Sequence, residues 1–249
     1  MSAESLIVMF VALAAGSLVK GISGIGLPLV AIPVMAGFMP VDKAVAIMVI
    51  PGVFINLYLM WTYREHAVKI PNLPLVAAVG VGCIALGAWI LSEAPSRYIV
   101  LFMALWLGGY LLRLLLQGRK GARSEPTGFS RRASLLVVGA AGIVQGASGI
   151  SGPVLAPFVH SLNLKQPQYV FAVSVLFQIF AVSQLVSFLW LGLIDLERTL
   201  ESLLACIPIA VFLPLAVWLS RFFSDRAFNI LIVLLLVAIE GRLIWRLIV

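Results

Sequence analysis

The chain has 249 residues, of which 62% are apolar and 11% charged, and its formal net charge is +7. Soluble domains run about 45–50% apolar and about 25% charged, so the composition excludes an ordinary soluble fold and points to an all-α polytopic membrane protein. The positive charge does not describe a nucleic-acid patch, because the basic residues gather at the ends of apolar runs and in one central loop, which is how membrane proteins orient themselves.

The first apolar run covers residues 5–38. One straight helix of that length would be about 51 Å long, against a hydrocarbon core of about 30 Å. Two complete spans would need about 40 residues. The run therefore fits two short helices meeting near mid-membrane as a re-entrant hairpin. The stretch GISGIGLP, residues 21–28, marks the meeting point. Pro28 then falls in the first turn of the second limb, where its missing N–H does little harm. Residues 43–62, 73–91 and 98–116 form three further runs, with a polar loop at Arg64, Glu65 and His66. Residues 118–132 make a basic linker with Arg119, Lys120, Arg123, Arg131 and Arg132, expected on the cytoplasmic side. The run 133–159 is broken again, by GASGISGP at residues 146–153, and runs 169–191, 200–219 and 227–247 follow.

The two broken stretches are copies. Gly21, Ser23, Gly24, Ile25 and Pro28 fall on Gly146, Ser148, Gly149, Ile150 and Pro153 at an offset of 125 (21 to 146). Lys20 falls on Gln145, Gly26 on Ser151 and Leu27 on Gly152. Farther on, Trp89 falls on Trp218, Arg97 on Arg226 and Arg113 on Arg242 at an offset of 129 (89 to 218), which implies a short insertion near residues 194–198. The chain thus reads as a first transmembrane repeat over 1–117, the linker over 118–132 and a second repeat over 133–249. With Lys20 set aside, 11 Lys and Arg lie inside and 5 outside whether each broken run is a hairpin or crosses once. Charge does not choose between these topologies, and length favours hairpins. Each half is then a re-entrant or broken helical hairpin followed by three transmembrane helices, and an odd number of spans makes the halves inverted repeats. The alternative is eight plain transmembrane helices in parallel repeats.

A break in lipid frees backbone groups that find no water, so it is tolerated only where it is buried in protein or lines a cavity. Paired breaks in two halves are a pointer to a transport site. The limb after each break offers free N–H groups and the positive end of a helix macrodipole, which suits an anion. The candidate substrate-binding residues are Lys20, Gly21, Ser23, Gly24 and Gly26 in the first half, and Gln145, Gly146, Ser148, Gly149, Ser151 and Gly152 in the second. Lys20 is the cation just ahead of a break, and an intramembrane ionisable residue is a functional candidate by default. The blander alternatives are a snorkelling or helix-capping Lys20 and glycines that serve close helix packing.

Asn56 and Gln178, polar within apolar runs and aligned to about one helical turn, join the candidates. Interhelical hydrogen bonding is the alternative for both and for Gln184. Glu240, near Arg242, reads as interfacial or paired rather than as a proton carrier. Trp61, Tyr63, Trp89, Tyr98, Trp190 and Trp218 lie near run ends and read as interface belts. Cys83 and Cys206 lie within apolar runs and read as small hydrophobes rather than a disulfide. His66 and His160 sit at segment ends, so no metal is expected, nor any cofactor. No phosphate-binding glycine loop suggests ATP-driven transport. GISG and GASG also match the Gly-x-Ser-Gly form of rhomboid-type intramembrane proteases. A nucleophilic serine needs a nearby base, and no histidine lies in mid-run, so an enzyme is not expected.

The halves, the length and the duplicated signature resemble the TauE/SafE family of sulfite and organosulfonate anion exporters, also called the toluene-sulfonate uptake permease family. The resemblance covers essentially the whole chain. It implies a multi-pass secondary transporter of a bacterial-type inner membrane, moving a small sulfur-containing anion such as sulfite, sulfoacetate or a related sulfonate. Carried over by position, the binding region is residues 21–28 and 146–153, with the anion held between paired helix N-termini during alternating access. The departures at Gly26/Ser151 and Leu27/Gly152 leave room for unequal contributions from the two sides. Few carboxylates lie inside the runs, whereas cation-coupled uptake usually leaves them along its path. Export is therefore expected, with an uptake permease for an organic anion or other solute, or an anion channel, as alternatives. The expected partners are the small anionic substrate and the lipid bilayer, with no nucleic acid and a homodimer left open. The start Met1-Ser-Ala-Glu-Ser lacks the basic residues of a secretory signal, so no cleavage is expected.

Overall fold

The computed structural model describes residues 3–23, 26–119 and 130–219 and, of the last segment, 233–234, 236–238, 240–241, 243–245 and 247; the side chains of residues 3, 22–23 and 113–119 are not among what is described. Gly24, linker residues 120–129, Arg226 and Arg242 lie outside the described residues, as do the side chains of Ser23 and Arg113.

Long apolar runs must satisfy their own backbone in lipid, and helices do so. Nine helices follow in order among the described residues: α1 Ala3–Ser23, α2 Leu27–Ala36, α3 Val41–Thr62, α4 Leu73–Glu93, α5 Ser96–Arg119, α6 Arg131–Ser148, α7 Gly152–His160, α8 Gln166–Trp190 and α9 Leu196–Leu219. A single 3-10 turn, Arg64–His66, separates α3 from α4. The described residues from 233 onward are helical too. Among the described residues five helices are long and apolar enough to cross a membrane: α1 over Glu4–Gly21, and α3, α4, α8 and α9 over their full lengths. The protein is an all-helical, multi-pass membrane protein.

Each half runs helix, break, short helix, then three helical segments. The limbs differ from the expected pair of short helices. α1 has 21 residues and α2 has 10; α6 has 18 and α7 has 9. At 1.5 Å per residue α1 is about 32 Å long, enough to span the hydrocarbon core unaided. The reason is local: a single glycine inside a helix costs only about 1 kcal/mol. Here Gly21 stands against Ala216 of α9, where a side chain would not fit. The helix therefore runs through the first half of the motif and stops later. The break returns the chain alongside α1, because a Cβ on Gly16 would come within 2.8 Å of the Leu27 carbonyl oxygen. Pro28 occupies the first turn of α2, as expected, and Pro153 the first turn of α7.

The chain forms two compact units. One comprises Met1–Ala44, Ala94–Ser124 and Leu204–Val249; the other comprises Val45–Glu93 and Glu125–Leu203. Each unit holds one break and draws on both sequence halves. In the first unit α1 packs on α2, and Gly21 seats α9. In the second unit α4 lies along α6 through a glycine seam. A Cβ on Gly142 would stand 2.8 Å from Cys83 Cβ and from the Gly80 carbonyl oxygen. Side chains on Gly87 and Gly146 would collide with the backbone of Ile143 and of Ile84. Small residues let membrane helices approach this closely, where packing rather than the hydrophobic effect drives association. Ser202 of α9 donates to the Ile47 carbonyl of α3 at 2.7 Å. Trp61, Trp89, Tyr98, Trp190 and Trp218 are exposed near helix ends, with the Arg64 guanidinium 4.5 Å from the Trp61 ring centre.

Candidate functional site

The second break is built on a left-handed turn. Gly149 has φ 72°, a conformation glycine adopts without strain, and its N–H donates to the Gln145 carbonyl at 2.8 Å. The carbonyl oxygen of Ser151 then accepts from Val154 and Leu155 N–H at 3.0 and 2.9 Å, which starts α7. Pro153 has no N–H to offer. Among the described residues nothing accepts from the N–H groups of Ser151 and Gly152, which precede the first helical hydrogen bond.

Gln145 organises this break. Its Oε1 accepts from the Ser151 hydroxyl at 2.6 Å, and its Nε2 donates to Gln184 Oε1 at 2.8 Å. Gln184 Nε2 donates back to the Gln145 backbone carbonyl at 2.8 Å. The Ser148 hydroxyl donates to the Val144 carbonyl at 2.8 Å and its oxygen accepts from Ile150 N–H at 3.4 Å. Ser148, Ser151 and Gln184 are all buried. The serine protons of this break are thus engaged within the protein, and the donors still open to a ligand are backbone amides. At the far end of α7, His160 stacks on Tyr169 of α8 with ring centres 4.6 Å apart.

The first break is built differently. Gly26 has φ 128°, and its carbonyl accepts from Val30 N–H at 3.2 Å to start α2. With Pro28 in the first turn, the N–H groups of Leu27 and Leu29 precede the first intrahelical bond. Lys20 lies in the last turn of α1 and is only 6% exposed. The end of a helix carries partial negative charge, which favours a cation there. The matching residue, Gln145, is neutral and tied into its amide network. The first break therefore carries a buried positive charge that the second lacks.

The structure gathers Lys20, Gly21 and Gly26 at the first break. It gathers Gln145, Gly146, Ser148, Gly149, Ser151 and Gly152 at the second. Gly21 and Gly146 face neighbouring helices at distances that admit no side chain. Asn56 is buried in α3. Gln178 has a buried Oε1 with no hydrogen-bond partner among the described residues and makes no bond to the break. Gln184, six residues later on α8 and about 120° around the helix, is the glutamine that reaches it. Sequence reasoning noted Gln184 as polar within an apolar run but did not place it at the site. Only the packing of α8 on α6 brings it there.

No curated protein and no solved structure gives a match. The family model described as "Sulfite exporter TauE/SafE" matches residues 8–243, a span that includes both breaks. The chain belongs to the TauE/SafE sulfite exporter family.

Proposed function

We propose that this protein exports a small sulfur-containing anion, sulfite, sulfoacetate or a related sulfonate, across the inner membrane by alternating access. The amides at the starts of α2 and α7 serve as anion donors in the cycle, and Lys20 supplies the charge. The observation that carries the reading is Lys20 itself: a buried cation at the end of α1, just before a break whose next helix opens on N–H groups that precede its first intrahelical hydrogen bond. A three-oxygen anionic group accepts several such donors at once, and hydrogen bonds between charged groups are about twice as strong as neutral ones. Outward movement of a monovalent anion from an inside-negative cell gains roughly 2.3 kcal/mol per 100 mV, so export needs no coupled cation.

The test is sulfite flux in proteoliposomes, comparing the wild type with Lys20→Gln. Removing a charged hydrogen-bond partner is expected to raise KM about tenfold or more. Saturation and counterflow are expected of the wild type. An unchanged KM in the Lys20→Gln protein would remove Lys20 from the site and the reading with it. Flux without saturation would point to a channel.

A further inference from the structure

We propose that the Ser17 hydroxyl is a further contact for the transported oxyanion, one helical turn before Lys20 on α1; the inference rests on the reading that Lys20 meets that anion. Ser17 is 0% exposed, and its Oγ has no hydrogen-bond partner among the described residues. Serines inside helices commonly turn back to the carbonyl four residues earlier. Ser148, Ser183 and Ser187 do so here, at 2.8, 2.7 and 2.8 Å. Ser17 does not. An unpaired buried hydroxyl is unfavourable, which makes this one a donor held for a group the protein itself does not supply.

Its direction follows from its neighbours. Gly16 faces α2 at Leu27, and Gly21 faces α9 at Ala216 and Val217. At 100° per residue, with Gly16 at zero, Lys20 falls at about 40°, Ser17 at about 100° and Gly21 at about 140°. Lys20 and Ser17 therefore share the sector between the α2-facing and α9-facing sides of α1. α1, α2 and the part of α9 from Leu204 onward, which holds Ala216 and Val217, belong to the first compact unit. Met9 and Leu13 occupy the same sector at about 20° and 60°, and both are fully buried and apolar. An ammonium and a hydroxyl one turn apart in apolar surroundings form a two-point donor set for a small oxyanion. Ser17 lies six residues, about 9 Å, before the end of α1, so the set extends the binding region inward from the break.

The test uses full-length purified protein with sulfite as the probe, and the variants Ser17→Ala, Ser17→Cys and Lys20→Gln. The readouts are KM for sulfite flux and the sulfite-induced rise in Tm. Ser17→Ala is expected to raise KM about tenfold, keep the maximal rate, and shrink the sulfite-induced shift. Its Tm without sulfite should equal or exceed the wild type, because an unpaired hydroxyl has gone. Ser17→Cys, nearly isosteric with a weak donor, should also raise KM; it carries the test if the alanine variant does not fold. Wild-type KM in both Ser17 variants, with KM raised in Lys20→Gln, would overturn the role of Ser17 and leave the transport reading standing. Wild-type KM in all three would overturn both. A lowered Tm in Ser17→Ala, with wild-type KM restored in Ser17→Cys, would make Ser17 a packing residue and overturn the proposal.

Discussion

Gly26 and Ser151 occupy matching positions in the two copies of the motif, yet their backbones differ: φ is 128° at Gly26 and −90° at Ser151. The serine is compatible with its conformation, whereas the glycine sits where a side chain is strained. Gly26→Ala is therefore expected to lose about 1–3 kcal/mol of stability, read as a lower Tm of the purified protein. A wild-type Tm would show that the chain leaves α1 by some other path. At the second break the sensitive residue is Gln184. Gln184→Leu removes both bonds to Gln145 and leaves buried amide groups unpaired, at about 1–3 kcal/mol. A stable Gln184→Leu protein with wild-type flux would mean that the amide network does not hold the break. The motif itself, its glycines and its helix-starting prolines were legible in the sequence. Gln184 was not, because a polar residue in an apolar run shows that it needs a partner but not which partner it finds.

Among the elements of the second unit, α4 packs against both α6 and α8, and the two contacts differ in kind. At Gly146 an added methyl would meet the backbone of Ile84, Gly87 and Ala88; at Gly80 its nearest neighbour would be the ring edge of Phe180 of α8, at 2.6 Å. Backbone cannot give way without moving a helix, while a side chain can be shortened. Gly80→Ala should therefore destabilise the protein and be partly relieved by Phe180→Leu, a coupling that a double-mutant cycle in Tm would detect. Gly146→Ala should destabilise with no rescue from shortening any α4 side chain, and its folded fraction should keep the wild-type KM for sulfite. A raised KM in well-folded Gly146→Ala would return that glycine from packing to substrate contact. Sequence alone left both roles open for Gly146, because a repeated glycine looks the same whether it admits a ligand or a helix.

Across the whole molecule, the repeat and the packing divide the chain differently. The repeat was readable as two similar stretches about half a chain apart, each a broken run with further apolar runs after it. The compact units were not readable, because they depend on which helices meet. Gly21 of the first half seats Ala216 of the second, and Gly87 of the first half seats Ile143 of the second. Neither half therefore completes a compact unit from its own helices. Residues 1–117 or 133–249 expressed alone should aggregate or be degraded, since each leaves such close-packing faces open to lipid. Expressed together from a chain cut within 118–132, the two should co-purify and recover sulfite flux in proteoliposomes, because the close glycine contacts that join the halves lie between helices outside that polar, basic stretch. A monodisperse, cooperatively unfolding 133–249 fragment would show instead that each half folds by itself, and that the shared units form only after two finished halves meet.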